Sequence, residues 1–206
     1  MPSRNVDKID VDESFYHVYA RGVSKQDIFL DDQDYRYFLG TFERYLSEKP
    51  ACDKLGNVYP HYKDQIDLVT YCCMKNHFHL LVYQVEVSSM GRLMQSVMTS
   101  YSRYFNLKYK RSGPVFESRY KASLISSDVY LQHITRYIHL NPRSWRRYKY
   151  SSLRYYLGDV PPVWLRPQRV VELFDFDDAQ DYKEFVSDYE ENKRMLDDLK
   201  DELADA

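Results

Sequence analysis

Apolar and polar positions follow their clearest pattern between Leu68 and Tyr83, where the chain reads LVTYCCMKNHFHLLVY. Two apolar runs of strand length flank the polar stretch around Lys75-Asn76, which predicts a β-hairpin. An earlier aromatic and β-branched run, Phe15 to Ala20, predicts a first strand. Val115 to Ile125 is partly extended and is predicted to return the chain to the same sheet.

Helices are predicted where apolar residues recur every three or four positions. The first runs from about Gln33 to Ser47 and the second from Ser89 to about Tyr109. The third begins near Asp128 and stops near Asn141, because a proline follows and disfavours helical geometry in the residue before it. An acidic amphipathic helix from about Ala179 to Leu203 is predicted to close the chain.

The order strand, helix, hairpin, helix, strand, helix predicts the fold class. We expect an α+β, ferredoxin-like sandwich with a mainly antiparallel sheet and helices on one face, plus a C-terminal helical extension. The predicted boundary separates a domain of residues 1–157 from an extension of residues 158–206. The sheet face opposite the helices is expected to remain free for a ligand.

The distribution of charge changes this picture more than the net value of −2 does. Residues 175–206 have a net charge of −9, so residues 1–174 have a net charge of +7. Residues 101–154 contain 12 Lys or Arg and 2 acidic residues, and they lie in a chain with 21 tyrosines. A basic body with interleaved aromatic residues is typical of nucleic-acid binding. A solvated basic face fits this charge pattern equally well.

Several classes of protein do not fit the sequence. The three cysteines have no C-x-x-C spacing, which argues against a disulfide framework or a structural zinc site. The chain has no charged-then-apolar leader, and its apolar runs are about as long as a strand. We therefore expect a soluble, cytoplasmic protein with no membrane partner.

Candidate chemistry lies in the hairpin and in the third helix. In a strand, His77 and His79 point to the same side, and two such imidazoles can bind one divalent cation. The pattern H-x-H alone is more often two ordinary histidines on a sheet face. In the third helix, Tyr137 and Asn141 are four residues apart and share one side. A tyrosine phenolate can attack a phosphodiester, and an amide oxygen can complete a site for Mg²⁺ or Mn²⁺.

Two other tyrosines compete with Tyr137 for the role of nucleophile. Tyr101 and Tyr104 lie on the second helix beside a basic run. We favour Tyr137 because the Asn141 spacing belongs to its helix. His133 and His139 are near Tyr137 in sequence, but neither is given a role, and His17 in the first strand is expected to pack.

Four sequence elements, in this order, resemble those of a known family. They are YHVYARGV (16–23), KNHFHLLV (75–82), YSRYFNLKYKRSGPVFESRYK (101–121) and RYIHLNP (136–142). Together they resemble the REP-associated tyrosine transposases, which are related to the single-tyrosine, HUH-type transposases of small bacterial insertion sequences. The resemblance covers roughly residues 15–157.

This resemblance implies a metal-dependent endonuclease and strand transferase that acts on single-stranded DNA through a covalent 5′-phosphotyrosine. It assigns His77, His79 and Asn141 to a Mg²⁺ or Mn²⁺ site and Tyr137 to the nucleophile. The expected partners are palindromic repeats that fold into DNA hairpins. The expected setting is the bacterial cytoplasm, at the nucleoid, and residues 1–157 are expected to form the nuclease domain.

DNA contacts are also expected. Arg21 and Gly22 match the Arg-Gly that follows the first strand in the family. Phosphate contacts are expected among the basic residues of the second helix and the segment after it, where they position DNA without reading its sequence. These residues are Arg103, Lys108, Lys110, Arg111, Arg119 and Lys121.

Some alternatives remain open at this stage. The protein is either an enzyme, a hairpin-binding protein that has lost turnover, or an RNA-binding module with a ferredoxin-like sheet. It is either a monomer or a homodimer. The acidic C-terminal helix either covers the basic face as a DNA mimic or lies in solvent as a stabilising helix.

Overall fold

A four-stranded antiparallel sheet forms the centre of the protein. The computed structural model describes residues 10–174 and 179–188. The strand order is β2-β3-β1-β4, and each pairing is antiparallel. The strands are β1 Ser14–Arg21, β2 Ile66–Met74, β3 His77–Gln84 and β4 Lys121–Leu124.

Two long helices cross over between these strands, and four more follow the last strand within the described residues. The arrangement β1, α1, β2, β3, α2, β4 is the ferredoxin-like order, so the predicted α+β class is confirmed. The helices are α1 Asp32–Leu46, α2 Ser89–Lys108, α3 Asp128–Leu140, α4 Leu153–Tyr156, α5 Gln168–Val171 and α6 Ala179–Ser187.

The two faces of the sheet are covered by different helices. As predicted, α1 and α2 share one face, where they pack against Phe78 and Leu80. Helix α3 instead packs against the opposite face through Ile134 and Ile138, around Leu81. The expectation of a face left free for a ligand is therefore wrong for this part of the sheet. Strand β2 is apolar on both sides, and a strand of that kind needs cover on both faces.

The predicted helix starts have different physical origins. Asp31 caps α1 through a capping box, because its side chain accepts from the Asp34 amide at 3.1 Å and Asp34 reciprocates. Ser127 caps α3 by accepting from the Tyr130 amide at 3.3 Å. Ser88 precedes α2 with a positive φ of 66° and does not cap it; its hydroxyl donates to Asp10 at 2.6 Å instead.

The described part of the C-terminal extension packs onto the same sheet and helices. The Arg166 amide donates to the Leu68 carbonyl at 2.8 Å. In α6, Tyr182 and Val186 are buried against α3. The stretch from residue 189 to Leu203, predicted to continue this helix, lies outside the described residues.

Candidate functional site

Alternation along β1 and β3 places polar side chains on the face that α3 covers. Arg21 pairs with His77 and Tyr19 with His79 across the two strands. The His77 and His79 rings are 5.0 Å apart between centroids. Helix α3 lies over this patch, and the Tyr137 ring is nearly perpendicular to the His79 ring, at 5.4 Å between centroids.

Asn141 follows the last residue of α3 and connects these groups. Its side chain lies close enough to His77 and Tyr137 to affect their pKa values: it raises the pKa of His77 and lowers the pKa of Tyr137, each against a larger effect of burial. The four residues that the sequence singled out therefore lie in one cluster. Two of them come from β3 and two from the end of α3.

Each of the two histidines also has a hydrogen-bond partner behind it. The Nδ1 atom of His77 lies 2.6 Å from the Oδ1 atom of Asn76, in the hairpin turn. The Nδ1 atom of His79 lies 2.9 Å from the Nε2 atom of His17, on β1. These bonds occupy the Nδ1 atoms and leave the Nε2 atoms as the nitrogens available to a cation.

His17 is the functional candidate that sequence reasoning left out. It was expected to pack, yet it bonds directly to His79. The signal that would have found it is the period-two pattern of β1, in which His17, Tyr19 and Arg21 share a face. That pattern identifies a site only once it is known that the face with these three residues also carries His77 and His79.

Burial keeps the imidazoles of this cluster neutral. It lowers the pKa of His77 to about 4, with a smaller contribution from the positive charge of Arg21, while the contact with Asn141 opposes the shift. Burial likewise lowers the pKa of His17 to about 3 and that of His79 well below its usual range. Neutral imidazoles are the form that binds metal ions.

The hydroxyl of Tyr137 is held in its protonated form. Burial raises the pKa of Tyr137 to about 12, although the hydrogen bond with Asn141 and the charge of Arg21 act in the other direction. At neutral pH a phenol with this pKa is a weak nucleophile. A tyrosine in this state needs a nearby cation before it can act as a nucleophile.

The chemistry of the predicted ligands fits a divalent cation. Two imidazole nitrogens and one amide oxygen leave open positions for phosphate oxygens and suit Mn²⁺ better than Mg²⁺, which prefers oxygen ligands. Within residues 10–174 and 179–188, no group of three or more His, Cys, Asp or Glu side chains is arranged to hold a metal. The predicted set of ligands has only two such side chains, His77 and His79, because its third ligand is the amide of Asn141.

The two rival tyrosines lie on the other face of the sheet. Tyr101 is fully buried among α1 and α2, and its hydroxyl donates to the Ile28 carbonyl. Tyr104 donates to Asp34 at 3.0 Å. Both hydroxyls thus have structural partners, and both residues belong to the core on the face opposite His79.

The predicted DNA-contact residues fall into distinct environments. Arg21 is half-buried beside the histidines, and Lys121 lies 5.9 Å from the centre of the Tyr19 ring. Lys108 is engaged elsewhere, because its ammonium contacts Asp31 at 2.8 Å and Asp34 at 2.7 Å. The remaining four are exposed around the end of α2 and the segment after it: Arg103, Lys110, Arg111 and Arg119.

Gly22 has a packing role that the sequence did not reveal. A Cβ atom at this position would lie 2.2 Å from the Gln26 carbonyl oxygen and 2.7 Å from a methyl group of Ile28. The Gly22 amide also donates to the Asn76 carbonyl at 2.8 Å, which joins β1 to the hairpin turn. This close approach of backbones explains the glycine without a DNA contact.

Comparison with known proteins first defines the class. Residues 54–141 match the family model described as "Transposase IS200 like". This segment includes the hairpin with both histidines and ends at Asn141, so it spans the whole cluster on β3 and α3. The resemblance inferred from the four sequence elements is therefore confirmed over these residues, which are similar to the IS200-like transposases.

A solved structure then gives a more specific likeness. It is described as "Structure of the REP associates tyrosine transposase bound to a REP hairpin" and has a TM-score of 0.55 to this chain. The two chains are 11% identical, and the match covers 76% of this chain and 87% of the other. At this identity the likeness concerns the fold. The search of curated proteins gives no match.

No helix in the described parts of the chain is long and apolar enough to cross a membrane.

Proposed function

We propose that this protein is a metal-dependent endonuclease and strand transferase that acts on single-stranded DNA hairpins, with Tyr137 as its nucleophile. The observation that carries the proposal is the contact of Tyr137 with His79, at 5.4 Å between ring centroids, in a cluster that Asn141 completes. The family match over residues 54–141 supports the reaction class.

The proposed reaction is a transesterification. The Tyr137 hydroxyl oxygen attacks the phosphorus of a phosphodiester and loses its proton. The bond from phosphorus to the 3′ oxygen breaks, so that one strand end becomes a free 3′-hydroxyl and the other a 5′-phosphotyrosine. Because the phosphoester bond is exchanged rather than hydrolysed, a 3′-hydroxyl can reverse the step and join strands.

The residues that would hold the cation are His77 and His79, through their Nε2 atoms, and Asn141, through its amide oxygen. A bound Mg²⁺ or Mn²⁺ supplies Lewis-acid polarisation of the scissile phosphate. Arg21 contributes a further positive charge beside the cluster, which favours both the phosphate and the tyrosinate.

Exposed cations are proposed to bind the DNA backbone. Those at the end of α2, such as Arg103 and Arg111, would contact phosphates, while Lys121 lies at the start of β4 next to Tyr19 in the cluster itself. The proposed partners are hairpin-forming palindromic repeats, and the proposed setting is the bacterial cytoplasm at the nucleoid. Such contacts make binding steeply dependent on salt.

Two other functions compete with this proposal. A hairpin-binding protein without turnover would use the same basic surface, and an RNA-binding module would use the aromatic side chains of the sheet. His17 is buried against Tyr137 of α3, and Tyr19 is half-buried beside it, which disfavours base stacking on that face of the sheet. The cluster of neutral histidines around a tyrosine disfavours a purely binding role.

The testing experiment uses labelled single-stranded hairpin DNA, with the matching RNA hairpin in parallel. Wild-type protein is incubated with Mn²⁺ or Mg²⁺, and denaturing gels resolve DNA that is covalently linked to protein. We expect a DNA adduct that disappears when His77 and His79 are both changed to alanine, and no RNA adduct. Tight binding without any adduct would support the non-catalytic alternative, and equal binding of RNA would support the RNA-binding module.

A further inference from the structure

His17 is a fully buried histidine that the proposed reaction does not use. Its Nε2 atom lies 2.9 Å from the Nδ1 atom of His79. Its Nδ1 atom is buried and has no hydrogen-bond partner among the described residues. The ring lies nearly parallel to the rings of Tyr19 and His79, at centroid distances of 5.2 and 5.1 Å.

Packing alone gives a poor account of this residue. A buried nitrogen without a partner costs free energy, and a phenylalanine or leucine would fill the same space without that cost. The one polar contact that His17 makes among the described residues is with His79. The reason for a histidine at this position therefore lies in what it does to His79.

The neighbouring histidine shows what such a contact achieves. Asn76 donates its amide N–H to the Lys25 carbonyl at 3.2 Å, so its oxygen is the atom that faces His77. An amide oxygen only accepts hydrogen bonds, and the proton of the His77 ring must therefore lie on Nδ1. The Nε2 lone pair of His77 is then free to bind a cation.

We propose that His17 is the corresponding positioning residue for His79. The Nε2 atom of His17 accepts the hydrogen bond from Nδ1–H of His79, so that His79 presents its own Nε2 lone pair to a divalent cation. Outer partners of this kind fix the tautomer and orientation of metal-binding histidines. The inference rests on the proposed function, because it assumes that His77 and His79 bind the metal.

The first test measures binding of Mn²⁺ alone, without DNA, by electron paramagnetic resonance on the full chain. His17→Phe keeps a ring of similar size but removes the acceptor, and we expect it to weaken Mn²⁺ binding by about 10- to 100-fold. His17→Gln restores an acceptor oxygen and is expected to recover most of the affinity. His139→Phe is the matched control, because His139 is equally buried but bonds Tyr182 and Ser152 instead.

The outcomes separate this inference from the proposed function. If wild type binds no Mn²⁺, or if His77→Ala and His79→Ala leave its binding unchanged, the metal site itself is absent and both proposals fail. If those variants lose Mn²⁺ binding while His17→Phe retains it, the role of His17 alone is overturned. Equal weakening in His17→Phe and His139→Phe would also overturn it, since a general loss of packing would then be sufficient.

A second measurement needs no variant to fold. Long-range ¹H–¹⁵N correlation spectra of metal-free wild-type protein report which ring nitrogen carries the proton. We expect Nδ1–H in both His77 and His79. A proton on Nε2 of His79 would mean that His17 donates the bond, which would overturn the inference.

Discussion

Arg136 donates from its guanidinium to the Phe185 carbonyl at 3.1 Å, although Arg136 is fully buried. The same side chain contacts the Nδ1 atom of His133 at 2.9 Å and lies 4.6 Å from the centre of the Phe185 ring. Because Arg136 directly precedes Tyr137, this contact fixes the helix that carries the proposed nucleophile. Helix α3 is thus held between the sheet and α6 of its own chain.

Replacing Arg136 with methionine tests this attachment. The change keeps the apolar stem but leaves the Phe185 carbonyl without its donor, so we expect unfolding free energy to fall by about 1–3 kcal/mol. Urea denaturation gives this value, and hydrogen exchange should become faster at the amides of residues 179–187. Arg143→Met is the matched control on the exposed surface. Equal losses in both variants would contradict the account.

The strands, the hairpin and the long helices could be predicted from the sequence because each depends on local patterns. The hairpin turn around Lys75 is an example. The side of the sheet that α3 covers was not predictable, since β2 is apolar on both faces. The contact of His17 with His79 and that of Arg136 with the Phe185 carbonyl were also hidden, because the two partners in each contact are more than 40 positions apart in sequence.

Gly22 and Gly40 should respond to alanine with opposite signs. At Gly22 the added Cβ would overlap the Gln26 carbonyl, so we expect Gly22→Ala to cost about 1–3 kcal/mol of stability. At Gly40, within α1, no heavy atom lies within 4 Å of the added Cβ. Gly40→Ala should therefore stabilise the protein by about 0.5–1 kcal/mol. Thermal or urea unfolding measures both, and a neutral Gly22→Ala would refute the packing role.

Acid should destabilise the fold through its buried histidines. Burial lowers the pKa of His139 to about 3, whereas the unfolded chain has a value near 6.5. Below about pH 6.5 the unfolded state takes up a proton that the folded state refuses, so stability falls by about 1.4 kcal/mol per pH unit for this histidine. Urea unfolding between about pH 7.5 and pH 5 gives the slope of the unfolding free energy against pH. Below about pH 6.5, His139→Gln should reduce this slope by about 1.4 kcal/mol per pH unit. An unchanged slope would contradict the prediction.

Lys108 and Arg103 should differ in what they contribute. Lys108 is paired with Asp31 and Asp34, so Lys108→Ala should lower stability by about 1–3 kcal/mol and leave DNA binding largely intact. Arg103 is exposed, and Arg103→Ala should weaken hairpin binding at low salt and reduce the salt slope by about 1. Fluorescence anisotropy over a range of salt concentrations distinguishes them. Weaker hairpin binding in Lys108→Ala, together with unchanged binding in Arg103→Ala, would contradict this assignment.

The measurement that tests the central claim most directly is mass spectrometry of the DNA-linked protein after nuclease and trypsin digestion. Trypsin separates the three candidate tyrosines: residues 137–143 contain Tyr137, residues 104–108 contain Tyr104, and residues 93–103 contain Tyr101. We predict a nucleotide phosphate on the peptide of residues 137–143, attached to Tyr137. The same mass on either of the other two peptides would contradict the account.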